Sequence, residues 1–140
     1  MGCSDLPTKE FVKKHSPDEI QVKTNEFGKY VGQLNEDKKE GKGTFYWTNG
    51  DRYEGDFKND KREGKGKYFY KNGNKYEGDF KNDQFNGHGI FYWNNGDRYE
   101  GEYKNDQREG LGTMYFQNGM IKKCPWKNDK PFEYFGNLFG

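Results

Sequence analysis

The stretch "TNGDRYEGDFKND", residues 48–60, decides the fold because the chain repeats it. It returns as "KNGNKYEGDFKND" at 71–83 and as "NNGDRYEGEYKND" at 94–106, so that each copy begins 23 residues after the previous one. A fixed period of roughly 20–50 residues is typical of repeat proteins, in which each unit buries its apolar surface against the next. The sequence therefore predicts an array of repeats rather than a single globular core.

A recurrent tyrosine aligns four copies of the unit. Taking this tyrosine as the first residue gives units at 30–52, 53–75, 76–98 and 99–121. Residues 1–19 precede the array as an N-terminal extension, and 20–29 are predicted to form a capping strand. Residues 122–140 are interpreted as a degenerate repeat and an aromatic C-terminal tail, since Lys122 and Cys124 replace the expected tyrosine and glycine. Whether the chain has a fifth complete unit therefore stays open.

Each unit predicts two short β-strands. In Tyr53–Phe57, apolar residues or glycine alternate with acids, and Gly64–Tyr70 has a similar alternation, which is typical of strands. An Asn-Gly pair, a strong hairpin signal, closes every unit: Asn49-Gly50, Asn72-Gly73, Asn95-Gly96 and Asn118-Gly119. The sequence predicts an all-β fold, an elongated single-sheet antiparallel β-meander of 23-residue hairpin repeats.

The length of the Asn-Gly loop decides which side chains share a face. A two-residue loop would pair Lys42 with Phe57 and mix polar with apolar residues on both faces. A three-residue loop that ends in a left-handed Gly50 pairs Lys42 with Asp56 instead. Because opposite charges that face each other across strands are mildly stabilising, we predict the three-residue loop.

This register predicts two different faces. The charge face carries acidic and basic residues around one column of rings, namely Tyr46, Phe69, Tyr92 and Tyr115. On the other face, the ring face, we predict a partner-binding groove. Its walls are Trp47, Tyr53, Tyr70, Tyr76, Trp93, Tyr99 and Phe116, and its floor is Gly43, Gly55, Gly66, Gly78, Gly89 and Gly101. Two compatible readings of the glycines stay open: neighbouring rings pack on the bare backbone, or the floor accepts another protein.

The ends of the array differ from its middle, as terminal repeats usually do. Residues 20–24 match the second strand of a preceding unit, so Ile20 and Val22 are predicted to cap the first hairpin. A short helix is predicted at 8–15. The ring-rich tail at 131–140 either folds back over the last hairpin or docks on a neighbour, and the exposed sheet edges leave end-to-end self-association open.

Composition excludes several classes of function. The net charge is +1, from 24 basic and 23 acidic residues, whereas nucleic-acid binding requires a clustered cationic excess. No apolar run approaches the length of a membrane span, and Cys3 and Cys124 form no disulfide framework, so a cytoplasmic location is expected. The only histidines are His15 and His88, and His88 stands opposite Glu102 where other units have a lysine. We expect no catalytic residue, no metal and no cofactor.

The N-terminus favours an alternative function. "MGCSDL" offers Gly2 for myristoylation and Cys3 for palmitoylation, and two acyl chains anchor a protein stably where one does not. Leu6 stands where the myristoylation motif has Ser or Thr. The alternative is an acylated, membrane-associated adaptor with phosphoinositide contact, and a membrane is expected as a partner only through this acylation.

The motif Tyr-Glu-Gly-Asp-Phe-Lys-Asn-Asp, followed by Gly-x-Gly, an aromatic stretch and Asn-Gly, resembles the MORN repeat. The sequence departs from the pattern at Val31, at Phe85-Asn86 and from Lys122 onward. The resemblance implies a twisted sheet with a groove and a structural role, as in the radial-spoke heads of ciliary axonemes or in parasite cytoskeletal collars. We therefore expect a non-enzymatic scaffold that binds other proteins of a larger assembly, in the cytoskeleton and first of all in a cilium or axoneme.

Overall fold

The computed structural model describes residues 16 and 18–132, which form one open antiparallel sheet. Its strands are β1 (Gln21–Asn25), β2 (Gly28–Asn35), β3 (Lys38–Trp47), β4 (Arg52–Lys58), β5 (Lys61–Phe69), β6 (Lys75–Lys81), β7 (Gln84–Tyr92), β8 (Arg98–Lys104), β9 (Gln107–Tyr115), β10 (Ile121–Lys127) and β11 (Lys130–Pro131). They pair in the order of the sequence. Within the described residues there is no helix. The predicted all-β meander is confirmed.

The Asn-Gly loops contain three residues, as predicted. The N–H of Trp47 donates a hydrogen bond to the carbonyl of Asp51 (2.9 Å), and Gly50 inside the loop has a φ of 103°. Glycine adopts this left-handed conformation without a steric penalty. Lys42 consequently faces Asp56, and the same pattern recurs in the next two units.

A second kind of loop joins the two strands inside each unit. Asn59 and Asp60 have φ values of 50° and 69°, as in the two-residue type I′ turns that match the twist of paired strands. The Asp60 carboxylate accepts a hydrogen bond from the N–H of Lys39 in the preceding unit (2.8 Å), and the N–H of Asp60 donates to the Lys39 carbonyl (3.0 Å). The equivalent residues are Asp83, Asp106 and Asp129. These inter-unit aspartates join each turn to the unit before it.

A β-bulge lies next to the glycine pair of each full unit. In the second unit three residues, 63–65, lie opposite the single Asp56. Gly64 in the bulge has a φ of 92°, and the Asp56 carboxylate accepts a backbone N–H from the bulge (3.1 Å). Beyond the bulge, Arg62 pairs with Phe57 and therefore belongs to the ring face.

The N-terminal capping strand forms, but the predicted register is wrong by one residue. Lys23 of β1 pairs with Tyr30, whereas the prediction placed Val22 there. The Asn-Gly loop is missing, and the side chain of Asn25 accepts two loop N–H groups (2.8 and 3.1 Å), so that the hairpin closes over two residues instead of three. Val22 therefore lies on the charge face, and neither Val22 (65% exposed) nor Ile20 (61% exposed) caps the first hairpin.

One further hairpin extends the array at its C-terminal end. Strand β10 pairs with β9, and an Asn128-Asp129 turn leads into β11. Trp126 of β10 is buried, and its ring lies 5.2 Å from that of Tyr99 at an angle of 80°. The degenerate repeat thus closes the core of the ring face. The predicted helix at 8–15 and the tail beyond Phe132 lie outside the described residues.

Candidate functional site

The ring face contains an inner network of buried aromatic side chains. Tyr30, Tyr53, Tyr76 and Tyr99 are at most 1% exposed. The ring of Tyr53 lies 5.0 Å from that of Phe57 on its own strand and 4.9 Å from that of Phe80 in the next unit, both edge to face. Such pairs contribute about 0.5–1.5 kcal/mol beyond the burial of their area. The inner network therefore holds neighbouring units together.

The same tyrosines cover the glycines that were predicted as a groove floor. A Cβ atom on Gly66 would lie 2.4 Å from the ring of Tyr53, and Gly43 and Gly89 meet their tyrosines equally closely. Gly55, Gly78 and Gly101 would meet the backbone of the facing glycine at 2.5–2.6 Å. The Tyr53 hydroxyl donates to the carbonyl of Asp56 (2.7 Å). Glycine is thus required for the close approach of ring and backbone, and these glycines lie beneath rings.

A second row of rings lies at the outer side of this face, and all of its rings except the buried Phe45 are half-buried. It consists of Phe45, Trp47, Tyr68, Tyr70, Phe91 and Trp93, with centroid distances of 4.6–5.7 Å between successive rings. Among the residues predicted to bind a partner, Trp47, Tyr70, Trp93 and Phe116 are half-buried, whereas Tyr53, Tyr76 and Tyr99 are 0% exposed. The structure therefore brings four of the seven predicted wall residues to the surface. We call the six-ring series the outer row.

Cationic side chains lie between the inner network and the outer row. The guanidinium of Arg62 lies within 5.9 Å of four ring centroids, and its Nε binds the carboxylate of Asp83 in the next unit at 3.1 Å. Lys39 and Arg108 occupy the equivalent positions. In the third unit Phe85 takes this place and stacks on Tyr76 at 3.7 Å. The sequence prediction missed these cations because it began the second strand after them, although the alternation extends back to Arg62.

A groove of about 290 Å³ opens on the ring face at the N-terminal end of the array. Its lining combines Trp47 and Phe57 with Arg62 and two inter-unit aspartates, Asp60 and Asp83. Four rings and five polar or charged residues line this groove, so its lining is more polar than that of a usual ligand pocket. The groove can accept an apolar side chain and a neighbouring hydrogen-bonding group.

The tyrosines of this face stay uncharged at neutral pH, because their pKa values are raised. Burial raises the pKa of Tyr30 and Tyr99 to about 12. The pKa of Tyr70 is also raised to about 12, first by burial and then by the nearby Asp106 carboxylate. The pKa of Asp60 is lowered, since the N–H and ammonium groups of Lys39 outweigh the effect of burial. The rings are therefore neutral, and the charges of the face are those of its cation–aspartate pairs.

The charge face carries the predicted ion pairs. Lys42 binds Asp56 and Lys65 binds Asp79. His88 lies 3.7 Å from the carboxylates of both Glu100 and Glu102, which fits its prediction as a cross-strand partner. Within the described residues there is no cluster of three or more His, Cys, Asp or Glu side chains that could hold a metal ion. That part of the chain also has no helix long and apolar enough to cross a membrane.

The repeat unit is matched by a protein-family model. The model of the MORN repeat matches residues 30–52, 53–75, 76–98 and 99–121, the same four units that the tyrosine period gives. The chain belongs to the MORN-repeat family. MORN repeats are generally interaction motifs of scaffolds, and MORN-repeat proteins are typically non-enzymatic. A comparison with curated proteins finds no match for this MORN protein. Gly2 and Cys3 lie outside the described residues, so their acylation stays a prediction.

Proposed function

We propose that this MORN protein is a non-enzymatic scaffold that binds a partner protein through the outer row of its ring face. The observation that carries the proposal is the continuous series of half-buried rings from Trp47 to Trp93. Trp and Tyr are enriched among the residues that dominate binding energies at protein interfaces. Because the inner network already packs the core, the exposed parts of the outer rings are free to contact a partner.

The spacing of the outer row indicates the form of the partner segment. Equivalent rings such as Trp47, Tyr70 and Trp93 lie two strands apart on successive hairpins, which corresponds to about 10 Å. Residues i and i+7 of an α-helix are separated by a rise of about 10.5 Å. An amphipathic helix that crosses the strands can therefore place one apolar side chain per repeat, and helix-in-groove recognition of this kind is common.

The test compares two sets of three ring deletions on opposite faces. The variant W47A/Y70A/W93A removes rings of the outer row, and the matched control Y46A/F69A/Y92A removes three rings of the charge face. Proteins captured from the native source by the wild type and by the control, but not by the outer-row variant, support the proposal. Thermal unfolding of all three proteins verifies that they are folded. Equal capture by the outer-row variant contradicts it.

The setting is proposed from the family resemblance alone. A cytoplasmic, cytoskeletal assembly, and in particular a ciliary axoneme, is the expected location of such a scaffold. Immunofluorescence of the tagged chain in ciliated cells of its native source tests this location. Label that remains diffuse after detergent extraction, with none along the cilium, contradicts the axonemal setting and leaves the binding proposal to its own test.

The acylated adaptor is the second candidate, and the Gly2–Cys3 motif favours it. Intact mass spectrometry of protein from the native source decides between a plain and a lipidated N-terminus. A mass equal to that of the unmodified chain contradicts the adaptor. Substitution of Gly2 by Ala is expected to release an acylated protein from membranes, since both lipid signals are needed for stable anchoring.

A further inference from the structure

The charge face loses its charges at the C-terminal end of the array. One row of cross-strand neighbours on this face pairs a basic residue with an acidic one: Lys42 with Asp56, Lys65 with Asp79, then His88 with Glu102. The next pair in the row consists of Leu111 and Pro125. Two apolar residues thus stand where the preceding units place an ion pair or its histidine equivalent.

A second row of the same face changes at the same end. In each unit a cation lies over a ring, as Arg98 does over Tyr115 at 3.9 Å. The earlier pairs are Lys29 with Tyr46, Arg52 with Phe69 and Lys75 with Tyr92. On the far side of Tyr115 the position of the next cation is held by Ile121. Leu111, Tyr115, Ile121 and Pro125 form what we call the terminal patch.

The terminal patch is exposed and concave. Leu111 is 76% exposed and Ile121 is 64% exposed. A depression of about 580 Å³ is lined by Leu111, Tyr115 and Pro125 together with two carboxylates, Glu100 and Glu102, and one ammonium group, Lys123. The packing of the last hairpin does not depend on these side chains, because Trp126 fills the core on the opposite face. An exposed apolar patch that the fold does not need usually marks an interaction surface.

Two carboxylates beside the patch, which outnumber the one lysine in its depression, favour a basic group in the partner. The carboxylates of Glu100 and Glu102 both lie 3.7 Å from the imidazole of His88, and no lysine or arginine of residues 18–132 forms an ion pair with either of them, including Lys123, which lines the same depression. A basic side chain of a partner can therefore supply the positive charge that Leu111 lacks. The two carboxylates would repel an anionic lipid surface, so a membrane is a poor fit. The chain's own tail is a poor fit as well, because the only charged side chain at 133–140 is the acidic Glu133.

We propose that the terminal patch is a second docking site, distinct from the ring face, for a protein segment that carries a basic residue two positions before a large aliphatic one. The aliphatic side chain contacts Leu111 and Pro125, and the basic side chain contacts Glu100 and Glu102. Neighbouring strands are about 4.8 Å apart, and same-side residues i and i+2 of an extended segment about 6.6–7 Å. An extended Arg-x-Leu sequence can therefore place its Arg side chain at Glu100 and Glu102 and its Leu side chain at Leu111 and Pro125.

The experiment is an amide NMR titration of the full chain with the synthetic peptide Gly-Ser-Arg-Thr-Leu-Thr-Ser-Gly. Saturable shifts are expected for the amides of Glu102, Leu111 and Lys123, on and next to the patch. A control peptide with Glu in place of Arg is expected to bind at least about tenfold more weakly, since opposite charge becomes like charge. Sedimentation velocity of the free chain is recorded alongside.

Matched variants assign the shifts to the patch. Leu111→Lys with Pro125→Asp installs the kind of pair that Lys65 and Asp79 form between the second and third units, and it is expected to weaken peptide binding about tenfold. Val22→Lys alters an exposed aliphatic residue at the far end of the same face and should leave binding unchanged. Thermal unfolding of both variants verifies the fold.

Three outcomes overturn the proposal. The first is absence of saturable shifts with the Arg-x-Leu peptide, or equal binding by the patch variant. The second is a shift of the amides of residues 133–140 when the patch variant is compared with the free wild type, which assigns the patch to the chain's own tail. The third is a dimer of the free chain that the patch variant abolishes, which assigns it to a second copy.

Discussion

The ring face and the charge face are built from the same strands, yet Tyr53 on the ring face is 0% exposed and the Lys65 side chain on the charge face is 76% exposed. Tyr53 contacts rings of its own unit and of the next one, whereas Lys65 contacts one carboxylate. Exposed ion pairs contribute about 0–1 kcal/mol. Stability therefore resides on the ring face, and the charge face can change from unit to unit, as it does at Leu111.

The largest expected effect is alkaline unfolding of the ring face. Burial raises the pKa of Tyr30, Tyr70 and Tyr99 to about 12 and raises the pKa of Tyr53 and Tyr76 as well. The ordinary tyrosine pKa is about 10, so this stabilisation is complete below about pH 10 and is lost as the pH rises through the folded-state pKa values.

Urea unfolding at increasing pH, together with the absorbance of tyrosinate, measures this loss. The free energy of unfolding is expected to fall steeply above about pH 10. Tyr76→Phe, which cannot ionise at that position, should show a shallower decline than the wild type. A free energy of unfolding that stays constant up to pH 12 contradicts the prediction.

Deletion of an inner ring comes next in size. Tyr76→Ala removes a fully buried side chain that stacks on Phe85 and meets Phe80 edge to face, so we expect a loss of about 3–5 kcal/mol in the free energy of unfolding. The matched control is Tyr92→Ala on the charge face, where Lys75 lies 4.5 Å over the ring; about 1 kcal/mol is expected there. Equal losses in urea unfolding would remove the distinction between the faces.

The third prediction concerns the contact between glycine and tyrosine. Gly89→Ala places a Cβ 2.4 Å from the hydroxyl oxygen of Tyr76, and the ring must move, so we expect a loss of about 1–3 kcal/mol. In the Tyr76→Ala background this clash disappears, and alanine is then favoured over glycine in a strand. A double-mutant cycle measures the difference. Additive effects would mean that Tyr76 is not the reason for the glycine.

The smallest effect is expected from a single charge-face ion pair. Lys65→Ala removes the partner of Asp79, and a loss below about 1 kcal/mol is expected because the lysine is exposed. The loss should shrink further at high salt, since screening weakens exposed pairs. Urea unfolding at low and high ionic strength checks both statements. A loss comparable to that of the inner ring would assign stability to the charge face too.

The repeat itself made most of the fold predictable. The pairing of Lys42 with Asp56 followed from alternation and from the Asn-Gly loop, and each unit repeated the same evidence. The first hairpin lacks that loop, and an Asn25-centred turn shifted its register by one residue. A single unrepeated hairpin offers no second copy against which its register can be checked.

The candidate site was less predictable than the sheet. Alternation placed both Trp47 and Tyr53 on the ring face, but it carries no information on how a side chain tilts along the strand. The tilt of Tyr53 over Gly66, fixed by the hydrogen bond of its hydroxyl to the Asp56 carbonyl, decides that Tyr53 is buried while Trp47 stays accessible. Arg62 was missed because the second strand was predicted to begin after it, at Gly64, whereas β5 begins at Lys61.

The inter-unit aspartates have a consequence for the length of the molecule. The same hydrogen bond from a backbone N–H to an aspartate carboxylate recurs at four successive junctions, at Asp60, Asp83, Asp106 and Asp129. A newly duplicated unit could therefore form this bond with the units on both sides of it. Each duplication would add two strands, about 10 Å of reach, and leave the existing junctions unaltered. Such a chain would lengthen in fixed increments, one hairpin at a time.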